Sequence, residues 1–146
     1  MNTSPLRALI LALPLAFSTL FAAPAQAAKW TPVGPDSPSV NGKVVRIDLA
    51  SVKSDANGGK AWTLVSYDKP QSTTSGKSYL SMKALHQYAC EDRTTTLLVQ
   101  VYYPGPMGEG EEVEHLKFEK FAPEDIVPDS VTDATLKLVC RAKKTP

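Results

Sequence analysis

Alternation of apolar and polar positions organises most of this chain. In KVVRIDL (43–49), Val45, Ile47 and Leu49 fall on one face and Arg46 and Asp48 on the other, the period of two of a half-buried strand. In KAWTLVSYD (60–68), Trp62 and Leu64 share one face, and Ala61, Val65 and Tyr67 the opposite one. SDANGG (54–59) between them is turn material, with Gly58-Gly59 supplying positive φ, so 44–67 reads as a hairpin. The longest alternation is YLSMKALHQYAC (79–90). Leu80, Met82, Ala84, His86, Tyr88 and Cys90 form its more apolar set, expected on the covered face; Tyr79, Ser81, Lys83, Leu85, Gln87 and Ala89 form the other. MKALHQYA also has helical propensity, but its β-rich neighbours favour a strand. Glu91-Asp92-Arg93 reverses the chain into Thr94–Tyr103, rich in β-branched and aromatic residues, with Leu97, Val99, Val101 and Tyr103 along one face.

PGPMGEG (104–110) is a turn, with three glycines and two prolines. A last strand over 112–118 alternates imperfectly, since Val113 opposes Leu116 and Phe118, which predicts a bulge or an edge position. KWTPVGPDSPSVNG (29–42) is interrupted by Pro32, Pro35 and Pro38, which block regular structure, and Trp30 is expected to pin this arm by packing. KPQSTTSGKS (69–78) reads as a solvated loop, with ligand binding by its Thr/Ser run the alternative. SVTDATLKLVCRAKK (130–144) is one helix: Asp129 or Ser130 caps it, Ser130-x-x-Asp133 is box-like, and Arg141, Lys143 and Lys144 sit at the end the macrodipole prefers. The sum is an α+β domain: an antiparallel sheet of five to six strands with a C-terminal helix.

The N-terminus adds a compartment. One cation, Arg7, precedes the uncharged run ALILALPLAFSTLF (8–21) and the small-x-small site Ala25-Gln26-Ala27. That is the layout of a secretory signal peptide over 1–27, cleaved between Ala27 and Ala28. A membrane anchor is the alternative, but 14 apolar residues fall short of the roughly 20 a spanning helix needs. Residues 28–146 then form a single domain. Without Arg7, the 16 basic side chains become 15, equal to the 15 acidic ones. A chain of zero formal charge lacks the basic excess of a nucleic-acid binder, and no further segment of the mature chain reads as transmembrane.

In an exported chain the two cysteines, Cys90 and Cys140, imply one disulfide. A metal pair or a catalytic thiol are the alternatives, but neither cysteine has histidines close in sequence. His86 in a strand and His115 after Glu114 read as structural or exposed. Glu109, Glu111, Glu112 and Glu114 hold a weak cation at most; a solvated acidic turn beside an edge strand is the simpler reading. GEGEE (108–112) lacks the Lys-Ser/Thr end of a phosphate loop. No nucleophile–base pair is recognisable, so no catalytic residue, cofactor or metal ligand is assigned and the chain is not expected to be an enzyme.

Several segments together resemble the surface-adhesin protein E family of Gram-negative bacteria. They are Trp30, VVRIDLASV (44–52), AWTLVSYD (61–68), YLSMKALHQYAC with EDR (79–93), PGPMGEGEEV (104–113), and VPDS with the tail ending at Cys140. The resemblance implies a sheet with a C-terminal helix held by Cys90–Cys140. It also implies surface exposure and attachment to host extracellular-matrix or serum proteins such as laminin, vitronectin or plasminogen. The family's lipid-attachment cysteine is missing here. A soluble periplasmic binder or inhibitor is the competing function, and SGKSY (75–79) is similar to the loops that lysozyme inhibitors insert. The expected location is therefore the periplasm or the cell surface, and the expected partner a protein.

Overall fold

In the computed structural model, which describes residues 28–34, 42–55, 57–119 and 121–142, the alternating segments pair into one antiparallel sheet. Its strands are β1 (Trp30–Pro32), β2 (Lys43–Asp48), β3 (Lys53–Ser54), β4 (Gly58–Ser72), β5 (Ser78–Ala89), β6 (Thr94–Tyr103), β7 (Glu114–Lys117) and β8 (Glu124–Asp125), followed by α1 (Val131–Ala142). The lateral order is β1-β2-β4-β5-β6-β7, with β3 beside β4 and β8 beside β6. Eight strands among the described residues exceed the five to six expected. The excess comes from β1, β3 and β8, two or three residues each and too short to display a period. The expected signal segment, up to and including Ala27, lies outside the described residues, as do 143–146 at the end of the expected helix.

The proline-rich arm begins as a strand, because β1 adds to the open edge of β2. Pro32 stands at its end, where a missing N–H is tolerated. Among the arm's described residues Val33, only 8% exposed, is the buried one, while Trp30 stays half-exposed.

One end of one face of the sheet is covered by α1. Leu136 and Val139 pack with Ile47, Ala61, Tyr88, Val33 and Ile126 into a single core. Gly58 and Gly59 belong to this closure, not to a turn. They open β4, and neither has positive φ. A Cβ on Gly59 would lie 2.8 Å from Val139 Cγ1, and one on Gly58 would lie 1.8 Å from the Tyr88 carbonyl oxygen. Glycine is required there by close approach.

The helix is tied at both ends. The Cys90–Cys140 disulfide joins its last turns to the end of β5, with the Cα atoms 6.0 Å apart. At its start the Asp133 amide donates to Ser130 Oγ, the N-cap, at 3.1 Å. The Asp133 carboxylate, buried, accepts from Arg93 at 2.6 Å and from Lys137 at 2.7 Å. Arg93 sits at the reversal between β5 and β6 with φ of 53°, and its carbonyl accepts from the Ile126 amide.

Two features depart from simple alternation. Leu85 pairs with Val99 but His86 pairs with Leu97, so Leu98 is an extra residue. Leu97 is thereby moved to the helix-side face, away from Val99, Val101 and Tyr103. The imperfect alternation over 112–118 corresponds to the edge position of β7, which ends the lateral order and pairs with β6 in unbroken register; a second irregularity lies in β4 between Ser66 and Gln71. In β5, Ala84 and Tyr88 are buried under the helix side as expected, but Ser81 of the other set is fully buried as well. The reason is the 104–110 turn, which folds back over the second face. Ser81 Oγ donates to the Gly105 carbonyl at 2.6 Å and accepts from the Gly108 amide at 2.8 Å, and Ser66 Oγ accepts from the Met107 amide at 2.7 Å.

Candidate functional site

The helix spans one end of its face only. Pairing register places Val65, Met82 and Tyr102 in one row beyond it, with Thr63, Ala84, Gln100 and Leu116 in the next. Beyond the helix this face ends in three tyrosines. Tyr79 meets Tyr67 edge-on with ring centroids 5.8 Å apart and Tyr102 at 4.8 Å. All three are half-buried, as are Val65, Met82 and Leu116. Burial, followed by the neighbouring Tyr79, raises the pKa of both Tyr67 and Tyr102. The phenols therefore stay protonated through the physiological range and remain hydrogen-bond donors; Tyr102 donates to Gln100 Oε1 at 2.9 Å.

The loop between β4 and β5 braces this end of the sheet. Ser75 Oγ donates to Glu114 Oε2 at 2.8 Å, and Lys77 Nζ donates to the Val113 carbonyl at 2.8 Å. The neighbouring Thr73 and Ser75 hydroxyls, in that order, lower the pKa of Glu114. The Ser/Gly/Tyr loop is thus committed to the protein's own β7, which argues against an inhibitor loop inserting elsewhere.

The residues singled out in the sequence scatter. His86 lies on the helix-side face; its Nδ1 is buried without a hydrogen-bond partner, and burial lowers its pKa. His115 projects from the opposite face of β7, 3.2 Å from Glu112 Oε2. Glu114 is engaged by Ser75, and Glu112 lies near His115 and Tyr103. Among the described residues no group of three or more His, Cys, Asp or Glu side chains is placed to hold a metal. Nor is any described helix long and apolar enough to cross a membrane. Of the assigned residues only Cys90 and Cys140 are brought together. Ala28, the expected first mature residue, is exposed at the start of the described chain.

The tyrosine cluster was not assembled from the sequence. Tyr67 alternates with Ala61 and Val65, while Tyr79 falls in the set of its strand opposite the covered one, and Tyr102 lies off the Leu97–Tyr103 face. The irregularity between Ser66 and Gln71 changes the register at that end of β4 and β5, pairing Gln71 with Tyr79.

Comparison with known proteins agrees with this architecture. The sequence profile of the family described as surface-adhesin protein E matches residues 30–141. The fold is similar to a structure of Haemophilus influenzae protein E at 16% identity, covering 80% of this chain and 98% of that one, with a TM-score of 0.53. A second crystal form of Haemophilus influenzae protein E is similar at 15% identity, covering 79% and 99%, with a TM-score of 0.54. No curated protein sequence matches the chain.

Proposed function

Because this chain belongs to the surface-adhesin protein E family, we propose that it is an exported, non-enzymatic protein-binding module that docks a host extracellular-matrix or serum protein. In this reading residues 1–27 are a signal peptide and 28–146 a single domain displayed on a Gram-negative cell. The observation that carries the choice of surface is the half-exposed Tyr67–Tyr79–Tyr102 cluster beside Met82, on the part of the helix-side face that α1 leaves uncovered. Tyrosine and methionine are enriched at protein interfaces. Tyrosine supplies a large apolar area with a polar tip, and here mutual packing and the braced 73–77 loop hold the rings in place before any partner arrives.

The test has two parts. Protease added to intact cells should remove the protein; survival outside together with release in the periplasmic fraction would replace a host partner by an envelope one. On immobilised laminin and vitronectin, the purified protein should bind saturably. Tyr79→Ala with Tyr102→Ala should weaken binding at least tenfold while the fold stays intact, as expected of aromatic residues at an interface centre. Equal binding by this variant would place the docking surface elsewhere.

A further inference from the structure

The face opposite the helix carries a second surface of different chemistry. Trp30 stands opposite Asp48 in β1 and β2, and the row Trp62, Leu85, Val99, Lys117 crosses β4 to β7. Trp30 and Trp62 are the two tryptophans of the chain; both lie on this face and both are half-exposed. β2 alone separates their strands, so their Cα positions stand on the order of 10 Å apart, two strand spacings.

Cations surround them. Lys53 and Lys60 are cross-strand partners, both exposed, on the β3 side of Trp62. Arg46 lies opposite Leu64, two positions along β4 from Trp62. Lys117 closes the row at the β7 edge, exposed. Among the described residues none of these four forms an ion pair, and Arg46 Nε is buried without a hydrogen-bond partner. Two acids border the patch and both turn to backbone: Asp48 Oδ1 accepts from the Ala50 amide at 3.1 Å, and Asp55 Oδ1 from the Asn57 and Gly58 amides at 2.8 and 3.0 Å. The acidic turn covers the adjoining part of this face, over Ser66 and Ser81 and up to Leu64, the cross-strand partner of Arg46, and leaves the Trp30–Trp62 row open.

The chain as a whole is nearly neutral, so attraction to an anion arises from this patch and not from net charge. Flat indoles stack on the C–H faces of pyranose rings, while ammonium and guanidinium groups take sulfate and carboxylate oxygens in charge-assisted hydrogen bonds. An acidic peptide would satisfy the cations and leave two indoles, rooted a disaccharide's length apart, without a matched partner. We infer that this face binds a sulfated glycosaminoglycan. The polymer lies across the strands, with sugar rings on Trp30 and Trp62 and its sulfates reaching Lys53, Lys60, Arg46 and Lys117. The surface is separate from the tyrosine face and does not depend on it.

With both tryptophans in the patch, intrinsic fluorescence reports binding directly. Titrating the purified protein with size-fractionated heparin should shift tryptophan emission saturably. The affinity should fall as salt rises, and desulfated heparin should give no shift. Lys60→Glu with Lys117→Glu, both exposed and away from the core, should bind at least tenfold more weakly with an unchanged melting temperature. Tyr79→Ala with Tyr102→Ala should bind heparin as the parent does. The proposal is overturned by no emission shift with heparin, or by equal affinity in the Lys60/Lys117 variant. Competition by a short single-stranded DNA at equal affinity would overturn it too, since the face would then be a general polyanion surface.

Discussion

Removing the disulfide should shift the stability of the whole domain, by an amount the topology sets. Cys90 and Cys140 are separated by 50 positions. Closing a loop of that length lowers the entropy of the unfolded chain by about 14 cal/mol/K, or about 4 kcal/mol at 25 °C. Residues 28–146 number 119; at about 2.1 cal/mol/K per residue, unfolding entropy is ~0.25 kcal/mol/K, so the melting temperature should fall by roughly 15 °C. Both cysteines are only half-buried, so lost packing adds little. The helix adds a reason for the loss to be global. It has 12 residues, too few to be stable alone, and Leu136 and Val139 close the core over Ile47, Ala61 and Tyr88. Without the bridge it is held by that packing and by Arg93 on Asp133 at its first turn. The assay is thermal unfolding of Cys90→Ala/Cys140→Ala followed by far- and near-ultraviolet circular dichroism, beside the parent with and without reductant. Coincident transitions displaced by 10 °C or more are expected. A displacement below about 3 °C in the double variant would refute the loop-entropy argument. A large loss in far-ultraviolet signal with the near-ultraviolet transition unmoved would show that the helix detaches without unsettling the core.

Three further outcomes follow from single positions. Gly59→Ala, whose Cβ would lie 2.8 Å from Val139 Cγ1, should cost about 1–3 kcal/mol in urea denaturation, and Gly58→Ala, which meets a backbone carbonyl, should cost more. Ser81→Ala leaves the part-buried Gly105 carbonyl and Gly108 amide without their Ser81 partner, so it should lower the urea-derived stability by about 1 kcal/mol. Stability should also decline in two acid steps, read as melting temperature against pH. Burial lowers the pKa of His86, so the unfolded chain binds the extra proton: stability is full above about 6.5 and declines as pH falls through it, a step that His86→Leu should abolish. Lys137 first and Arg93 second hold Asp133 at about 2; its contribution is full above the ordinary carboxylate pKa near 4 and is lost on acidification toward 2. Asp133→Asn should remove this second step.

Alternation marked β2, β6 and the middle of β4 and β5, because each buries apolar side chains against a neighbour with period two; it left to a turn and a loop the Gly58-Gly59 and 69–72 ends that β4 takes in. Capping and charge likewise fixed α1: Ser130 caps it where expected, although the buried carboxylate of Asp133 faces Arg93, a partner 40 positions away. Two cysteines, with one possible intramolecular pairing, sufficed for the disulfide. Tertiary structure decided what depends on register and close approach. Leu98 bulges, so Leu97 and Val99 part company; Gly58 and Gly59 are demanded by Tyr88 and Val139, not by a turn; Ser81 is buried because a glycine-rich turn folds back on it. The two surfaces proposed here are of that kind. Tyr79 reaches Tyr67 and Tyr102, and Trp30 shares a face with Trp62, through strand pairings that join residues 12 to 32 positions apart. A local period states which side of its own strand a residue takes; it does not state which strand comes to lie beside it.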